Sequence, residues 1–289
     1  MTLPLPGTGR AVVAVPAPAA GEGNWVGAPS AAADGDGFVV AYRARTAAER
    51  GAAVVVARSE DGVRLEPVAT LEKGRFGAES LERPALVRTA GGRWRLYVCA
   101  ATPGSKHWWI DALDADDPAG LADADPRTVF PGDDRTGVKD PVVRRTADGW
   151  HAWICCHPLD VAGEEDRMTT AYATSADGLA WTWHGTVLAP RPGTWDARGA
   201  RLTTLLPGGG AAYDGRASKA ENFGERTGLA RAGDAPGTFV AAGTEPVAGV
   251  RYLDVVAAPG GGHRLYYEAP LPDGSHELRT EHLSAPPAA

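Results

Sequence analysis

The sequence predicts an all-β fold, a five-bladed β-propeller, and three observations carry the prediction. A stretch of alternating apolar residues around a Gly-rich turn occurs five times, over 28–44, 83–100, 140–156, 200–215 and 252–269. The last turn glycines, Gly37, Gly92, Gly149, Gly210 and Gly262, stand 55, 57, 61 and 52 residues apart, a spacing that suits four strands plus loops per unit. Strand accounting at the two ends is the third observation. The fifth unit stops after its third strand, ELRTEHL (277–283), while RAVVAVPA (10–17) has no unit of its own. The N-terminal strand is therefore expected to complete the last blade and close the ring, hiding the sheet edges. The whole chain, 1–289, reads as a single such domain. A sandwich of hairpins is the alternative.

Within each unit the first strand runs to a tight turn and the second is rich in aromatics: Trp94 and Tyr97, Trp150 and Trp153, Tyr266 and Tyr267. Third strands are read at VVVARSEDG (54–62) and TTAYATSADG (169–178). The pairs Asp61–Gly62 and Asp177–Gly178 supply turns in which glycine takes positive φ without steric cost. LEPVATL (65–71) and WTWHGTVL (181–188) follow as fourth strands, with Trp181 and Trp183 expected to pack between blades.

A net charge of −7 and a pI near 5.5 argue against a nucleic-acid groove or an anionic membrane surface. No apolar run reaches the roughly 18 residues that a bilayer span needs. The start, MTLPLPGTGR, lacks the basic head and apolar core of a secretion signal, so a cytoplasmic protein is expected. Cys99, Cys155 and Cys156 fall on presumed inner strands and show neither metal-ligand spacing nor a disulfide framework; they read as buried thiols. No cofactor or metal ligand set is specified.

In this topology the glycine turns lie on one side and the longer, chemically richer links on the other, which becomes the expected ligand face. Asp140 precedes Pro141 at the start of an inner strand, beside Lys139. Glu82 and Arg83 hold the corresponding place one unit earlier, Asp196 and Arg198 stand ahead of the fourth unit, and Tyr252 and Asp254 open the fifth. Glu221 belongs, with Glu225 and Arg226, to the long loop 214–228. Carboxylates converging on one cavity can hold different protonation states, the requirement for glycosidic-bond cleavage by one acid and one base. Arg83, Lys139 and Arg198 are candidates to orient hydroxyls or bind an anionic group. His107 and Trp25 are candidates to bind a sugar, with Tyr252, His157 and Trp108 beside them. Each has a plainer reading as a turn cap, a local ion pair or core packing. No nucleotide-binding glycine loop or nucleophile elbow is present.

These residues also carry a resemblance. Asp140–Pro141 opening an inner strand, the D-G-W-x-x-W of 148–153, the Y-x-T-S-x-D-G-x-x-W of 172–181, and YDG (213–215) with GLA (228–230) are similar to five-bladed propeller glycosidases. These are the arabinanase and β-xylosidase group of glycoside hydrolase family 43, with the related invertase and levansucrase families. The resemblance implies a general-base Asp opening the first unit, an assisting Asp on the second and an acidic Glu on the third. Here those places read Gly27–Ala28–Pro29, Glu82–Arg83–Pro84 and Asp140–Pro141. The expected function is hydrolysis of a glycosidic bond in a small oligosaccharide or glycoconjugate. Asp140 would be base or pKa-setting carboxylate, Glu82, Asp196 or Glu221 would supply further acidic groups, and Arg83 and Arg198 would anchor substrate. A non-catalytic carbohydrate-binding propeller is the alternative, motivated by Ala28. A phosphorylase would use the same pocket if several cationic groups filled it, and a protein-interaction platform would instead present a flat apolar top. The expected partner is a carbohydrate, with no nucleic acid and no membrane. Related propellers can hold a structural calcium ion in the channel.

Overall fold

Alternation of apolar and polar residues becomes strand almost throughout. A computed structural model, describing residues 3–284, contains twenty strands and three short 3₁₀ turns. A short strand, β1 (Val12–Val15), comes first. The first antiparallel meander is β2 (Trp25–Asp34), β3 (Gly37–Arg45), β4 (Ala53–Ser59) and β5 (Glu66–Glu72). The second is β6 (Ala85–Arg88), β7 (Trp94–Ala101), β8 (Trp108–Ala115) and β9 (Arg127–Phe130). The third is β10 (Thr136–Thr146), β11 (Gly149–Pro158), β12 (Thr169–Ser175) and β13 (Thr182–Leu188). The fourth is β14 (Gly199–Leu205), β15 (Ala211–Arg216), β16 (Arg226–Ala232) and β17 (Phe239–Ala242). The last has three strands in sequence, β18 (Arg251–Ala257), β19 (His263–Pro270) and β20 (His276–Leu283).

The expected five blades in a closed ring are corrected by the hydrogen bonding. The strands form four sheets, one of eight strands and three of four, and none closes on itself. The first and last meanders are one sheet because Trp25 of β2 bridges His276 of β20 in parallel. β1 does add to β20, with Val12 opposite Thr280, but it joins this large sheet as a side branch and leaves β5 and β18 as free ends. A single bridge between residues 251 positions apart has no local sequence signature, and that bridge changes the sheet count.

Side chains alternate between two apolar seams, as the pleat requires. Val39 and Ala41 of β3 pack with Leu86, Leu96 and Val98, whereas Val40 and Tyr42 of the same strand pack with Tyr266 and Leu278. β10 and β11 divide likewise: Val143 and Ile154 face the second meander and Val142 and Trp153 the fourth. Polar tips cross the seams at the turns. Tyr97 donates to the carbonyl of Gly178 at 2.8 Å, Tyr266 to that of Gly62 at 2.9 Å, and Trp153 Nε1 to that of Gly237 at 2.9 Å. Both Asp-Gly turns form, with φ of 72° at Gly62 and 74° at Gly178. Trp181 lies against Tyr97 and Phe130 between the second and third meanders, and Trp183 meets Phe130 edge-on at 6.2 Å while remaining 45% exposed.

Candidate functional site

Three first strands carry the same irregularity. Register breaks between Gly27 and Ser30 in β2, between Lys139 and Val142 in β10, and between Arg251 and Asp254 in β18. Inside each break one non-glycine residue is left-handed: Ala28 at φ 52°, Asp140 at 50° and Tyr252 at 52°. That conformation costs roughly 1–2 kcal/mol at each position and is the kind of strain that surrounding packing must hold in place. These bulges re-aim side chains toward the zone where first strands meet. Arg201 at the head of β14 joins two of the three: its Nη1 donates to Asp140 Oδ2 at 3.0 Å and to the Tyr252 hydroxyl at 2.9 Å, and its Nη2 donates to Asp214 at 2.6 Å. Its guanidinium also lies 3.8 Å over the Tyr252 ring.

Above this layer opens a pocket of about 50 Å³. Glu82 and Glu225 line it, with Lys139, Arg201, Arg216 and Arg251 around them and Arg43, Arg45 and Arg50 on the side of the first meander. Trp25, Tyr252, His157 and Phe223 complete its aromatic wall. Phe223 is exposed and packs 4.8 Å from Trp25, which also stacks on His276 at 4.8 Å.

The wall is an ion-pair lattice. Arg43 joins Glu82 at 2.6 Å to Glu268 at 2.8 Å; Arg251 joins Glu268 at 3.0 Å to Glu225 at 2.7 Å; and Arg216 holds Glu225 from the other side. Burial alone would raise these carboxyls, but the cations outweigh it. Arg43, Lys139 and Arg50 hold Glu82 well below the carboxylate range, while Glu225 and Glu268 are each brought down to about 2 by the arginines around them. Both pocket carboxylates are thus anions at neutral pH. Asp214 moves the other way, raised by burial against the pull of Arg201. Burial and Lys139 lower His157 to about 3, so its ring is neutral, donating from Nδ1 to the carbonyl of Glu165 at 2.7 Å.

The residues singled out in the sequence are distributed as follows. Glu82, Lys139, Trp25 and Tyr252 meet in the pocket, with Asp140 fully buried beneath them and contacting both Lys139 (3.7 Å) and Arg201. Arg83 is buried below as well, spanning from the carbonyl of Pro29 at 3.1 Å to that of Thr203 at 2.8 Å. Asp196 lies apart, accepting from Tyr213 at 2.6 Å and from Arg191 at 2.9 Å. Arg198 pairs with Glu164 and Asp166, Glu221 with Arg226 at 3.0 Å, and His107 bridges Thr102 to the carbonyl of Pro131; none of the three lines the pocket. Arg43, Arg45, Arg201, Arg216, Arg251, Glu268 and His276 were not singled out. Arg43 carried a usable signal, a charge flanked by apolar residues inside a strand whose neighbours are buried on both faces.

The donor set does not fit a calcium ion, which takes six to eight oxygen ligands. Among the described residues no group of three or more His, Cys, Asp or Glu side chains is placed to hold a metal, and the central carboxylates are already spent on arginine. A larger hollow of about 720 Å³ lies at the other end of the strands, among Asp34, Phe38, Arg58 and Asp61. It is formed by hairpin turns, and Asp61 there caps the amides of Val63 and Arg64.

No protein-family model matches the sequence, and no curated protein matches it. Solved structures do match. A thermostable family-43 glycoside hydrolase aligns with a TM-score of 0.70 at 14% identity, over 91% of this chain and 90% of that one. An α-L-arabinofuranosidase from Lactobacillus brevis aligns at 0.64 and 16%, over 90% and 91%. A third match, at 0.62 and 16% over 99% and 98%, comes from the family-130 mannoside phosphorylases, a family containing glycoside hydrolases that target β-1,2-mannosidic linkages in Candida mannan. The likeness is one of fold. It extends over nearly the whole chain and to more than one glycoside hydrolase family, without singling out family 43.

Proposed function

We propose that this chain acts on carbohydrate, cleaving a glycosidic bond of a small oligosaccharide or glycoconjugate in the pocket lined by Glu82 and Glu225. One observation carries the reading: two ionised carboxylates from different meanders open into a single pocket with aromatic walls, in a fold shared with glycoside hydrolases. Cleavage needs one carboxylate to activate water and another to protonate the departing oxygen. The ionised state suits the base. The acid requires loosening of an ion pair, and ligand oxygens that engage Arg43 or Arg216 would release Glu82 or Glu225 toward its ordinary pKa. Phe223 offers an exposed ring at the mouth, backed by buried Trp25, and Asp140 works from below by fixing Arg201 and Lys139.

The second reading, sugar binding without cleavage, is favoured by Ala28. It occupies the bulge position that holds Asp140 and Tyr252 in the other two strands, so the first meander presents a methyl group there. The two readings separate in one experiment. The full chain is incubated with a panel of oligosaccharides, and released reducing ends and saturable binding are measured in the same samples. Release supports cleavage; binding without release supports the second reading; neither would remove carbohydrate action altogether.

A further inference from the structure

The pocket's charge runs against that of the chain. In a protein of net charge −7, its lining has seven cationic side chains and two carboxylates. Carboxylates behind the wall, Asp140, Asp214 and Glu268, balance most of the buried arginines. Two cations at the first-meander side stay unbalanced. Among the described residues neither Arg45 nor Arg50 has a carboxylate within ion-pair distance, although every other arginine of the lining has one. Arg45 lies 4.3 Å over the Trp25 ring and has a buried Nε without a hydrogen-bond partner. Arg50 lies over Trp108 at 5.5 Å, and Lys139 shares that ring at 4.6 Å. Arg50 and Lys139 thus share one indole and Arg45 rests on another, and of the three only Lys139 has a carboxylate partner, Asp140 at 3.7 Å. Burial and the like charges of Arg43, Arg50 and Arg251 lower the pKa of Arg45 against the opposing pull of Glu82. An unpaired guanidinium atom out of water is costly and is what an incoming acceptor would satisfy.

Resting on the carbohydrate reading, we infer that the sugar this pocket takes carries an oxyanion, a carboxylate or a phosphate ester, seated between Arg45, Arg50 and Lys139. A charged substituent seated between these cations leaves the ring to extend past Glu82 and Glu225 toward exposed Phe223. Arginine suits the role because its fork meets two oxygens of a carboxylate or phosphate at once.

The test is calorimetric titration of the full chain with four probes: a neutral hexose, the matching uronate, the matching hexose 6-phosphate, and inorganic phosphate. The inference expects the uronate or the sugar phosphate to bind at least about tenfold more tightly than the neutral hexose, with affinity falling as salt rises. Whichever of the two binds identifies the anion. Arg50→Gln, on an exposed side chain whose loss leaves the buried lattice intact, should remove most of that preference, and Arg45→Gln should do the same. Equal binding of neutral and charged sugars overturns the inference and leaves carbohydrate action standing. Inorganic phosphate binding as tightly as the sugar phosphate overturns it too, since the anion would then be a separate ligand. If no sugar binds, the inference falls together with the function on which it rests.

Discussion

The phenolic oxygen of Tyr252 lies 3.4 Å from Oδ2 of Asp140, and the two residues reach each other from matching left-handed bulges on strands 112 positions apart. Arg201 Nη1 donates to both. The bulges therefore join the third and fifth meanders through the fourth, beneath the pocket floor. Their strain is held by a buried charge rather than by packing alone.

Removing that charge should cost more than removing the hydroxyl. Tyr252→Phe deletes one acceptor of Arg201, a loss of about 1 kcal/mol. Asp140→Asn breaks a buried ion pair and leaves Arg201 and Lys139 underbalanced, a loss of about 3 kcal/mol. Urea unfolding of both variants orders them. A loss from Asp140→Asn no greater than that from Tyr252→Phe would mean that the carboxylate does not hold this layer together.

Glycine at the Asp-Gly turns is required twice over, by φ and by space. A Cβ at Gly178 would come within 2.7 Å of Arg95 Nη1 and of Trp150 Cδ2, whereas one at Gly163, also at positive φ, would meet nothing within 4 Å. Gly163→Ala should cost about 1 kcal/mol from backbone strain. Gly178→Ala should cost at least about 2 kcal/mol, because it also displaces the ring that seals the seam. Paired thermal melts check the difference, and equal shifts would show that the turn yields freely.

Acid should weaken the fold in two stages. His157 is lowered from 6.5 to about 3 by burial, so between those values the unfolded chain binds the proton that the folded one refuses. Stability from this group is complete above about pH 6.5 and is lost as pH falls toward 3. Glu225 and Glu268 are lowered from 4.5 to about 2, so their contribution is complete above about pH 4.5 and is lost below it. Melting temperature should therefore be level above neutrality, decline from about pH 6.5, and steepen below 4.5. His157→Gln should flatten the first decline only. A variant that still declines there assigns that proton to another group.

Much of this architecture was legible because hairpins are written locally. Asp61–Gly62 and Asp177–Gly178 mark their turns by residue type, β4, β5, β12 and β13 fall on the segments read as third and fourth strands, and β1 finds the partner that the C-terminal strand shortage implied. The join at Trp25 and His276 was not legible, since one parallel bridge across the chain leaves no period behind. The site divided for a similar reason. Lys139, Asp140 and Tyr252 at the first-strand bulges, and Glu82 just ahead of β6, were visible from their place at the opening of a strand. Asp196, Arg198 and His107 share that kind of place but are taken up by neighbours, Arg191 and Tyr213 for the first, Glu164 and Asp166 for the second, Thr102 and Pro131 for the third. The arginine wall was hidden because a charge on a strand reads as solvent-facing, and only the meeting of several meanders buries Arg43, Arg216 and Arg251 together.

Glu82 and Glu225 are proposed to serve one carbohydrate-cleaving pocket. The most direct measurement is kcat/KM on the best substrate of the oligosaccharide panel, for the wild type and for Glu82→Gln and Glu225→Gln, each variant first shown to be folded by its melt. A fall of at least about a hundredfold is expected in both, with kcat carrying most of it. Folded variants that retain the wild-type rate would contradict it.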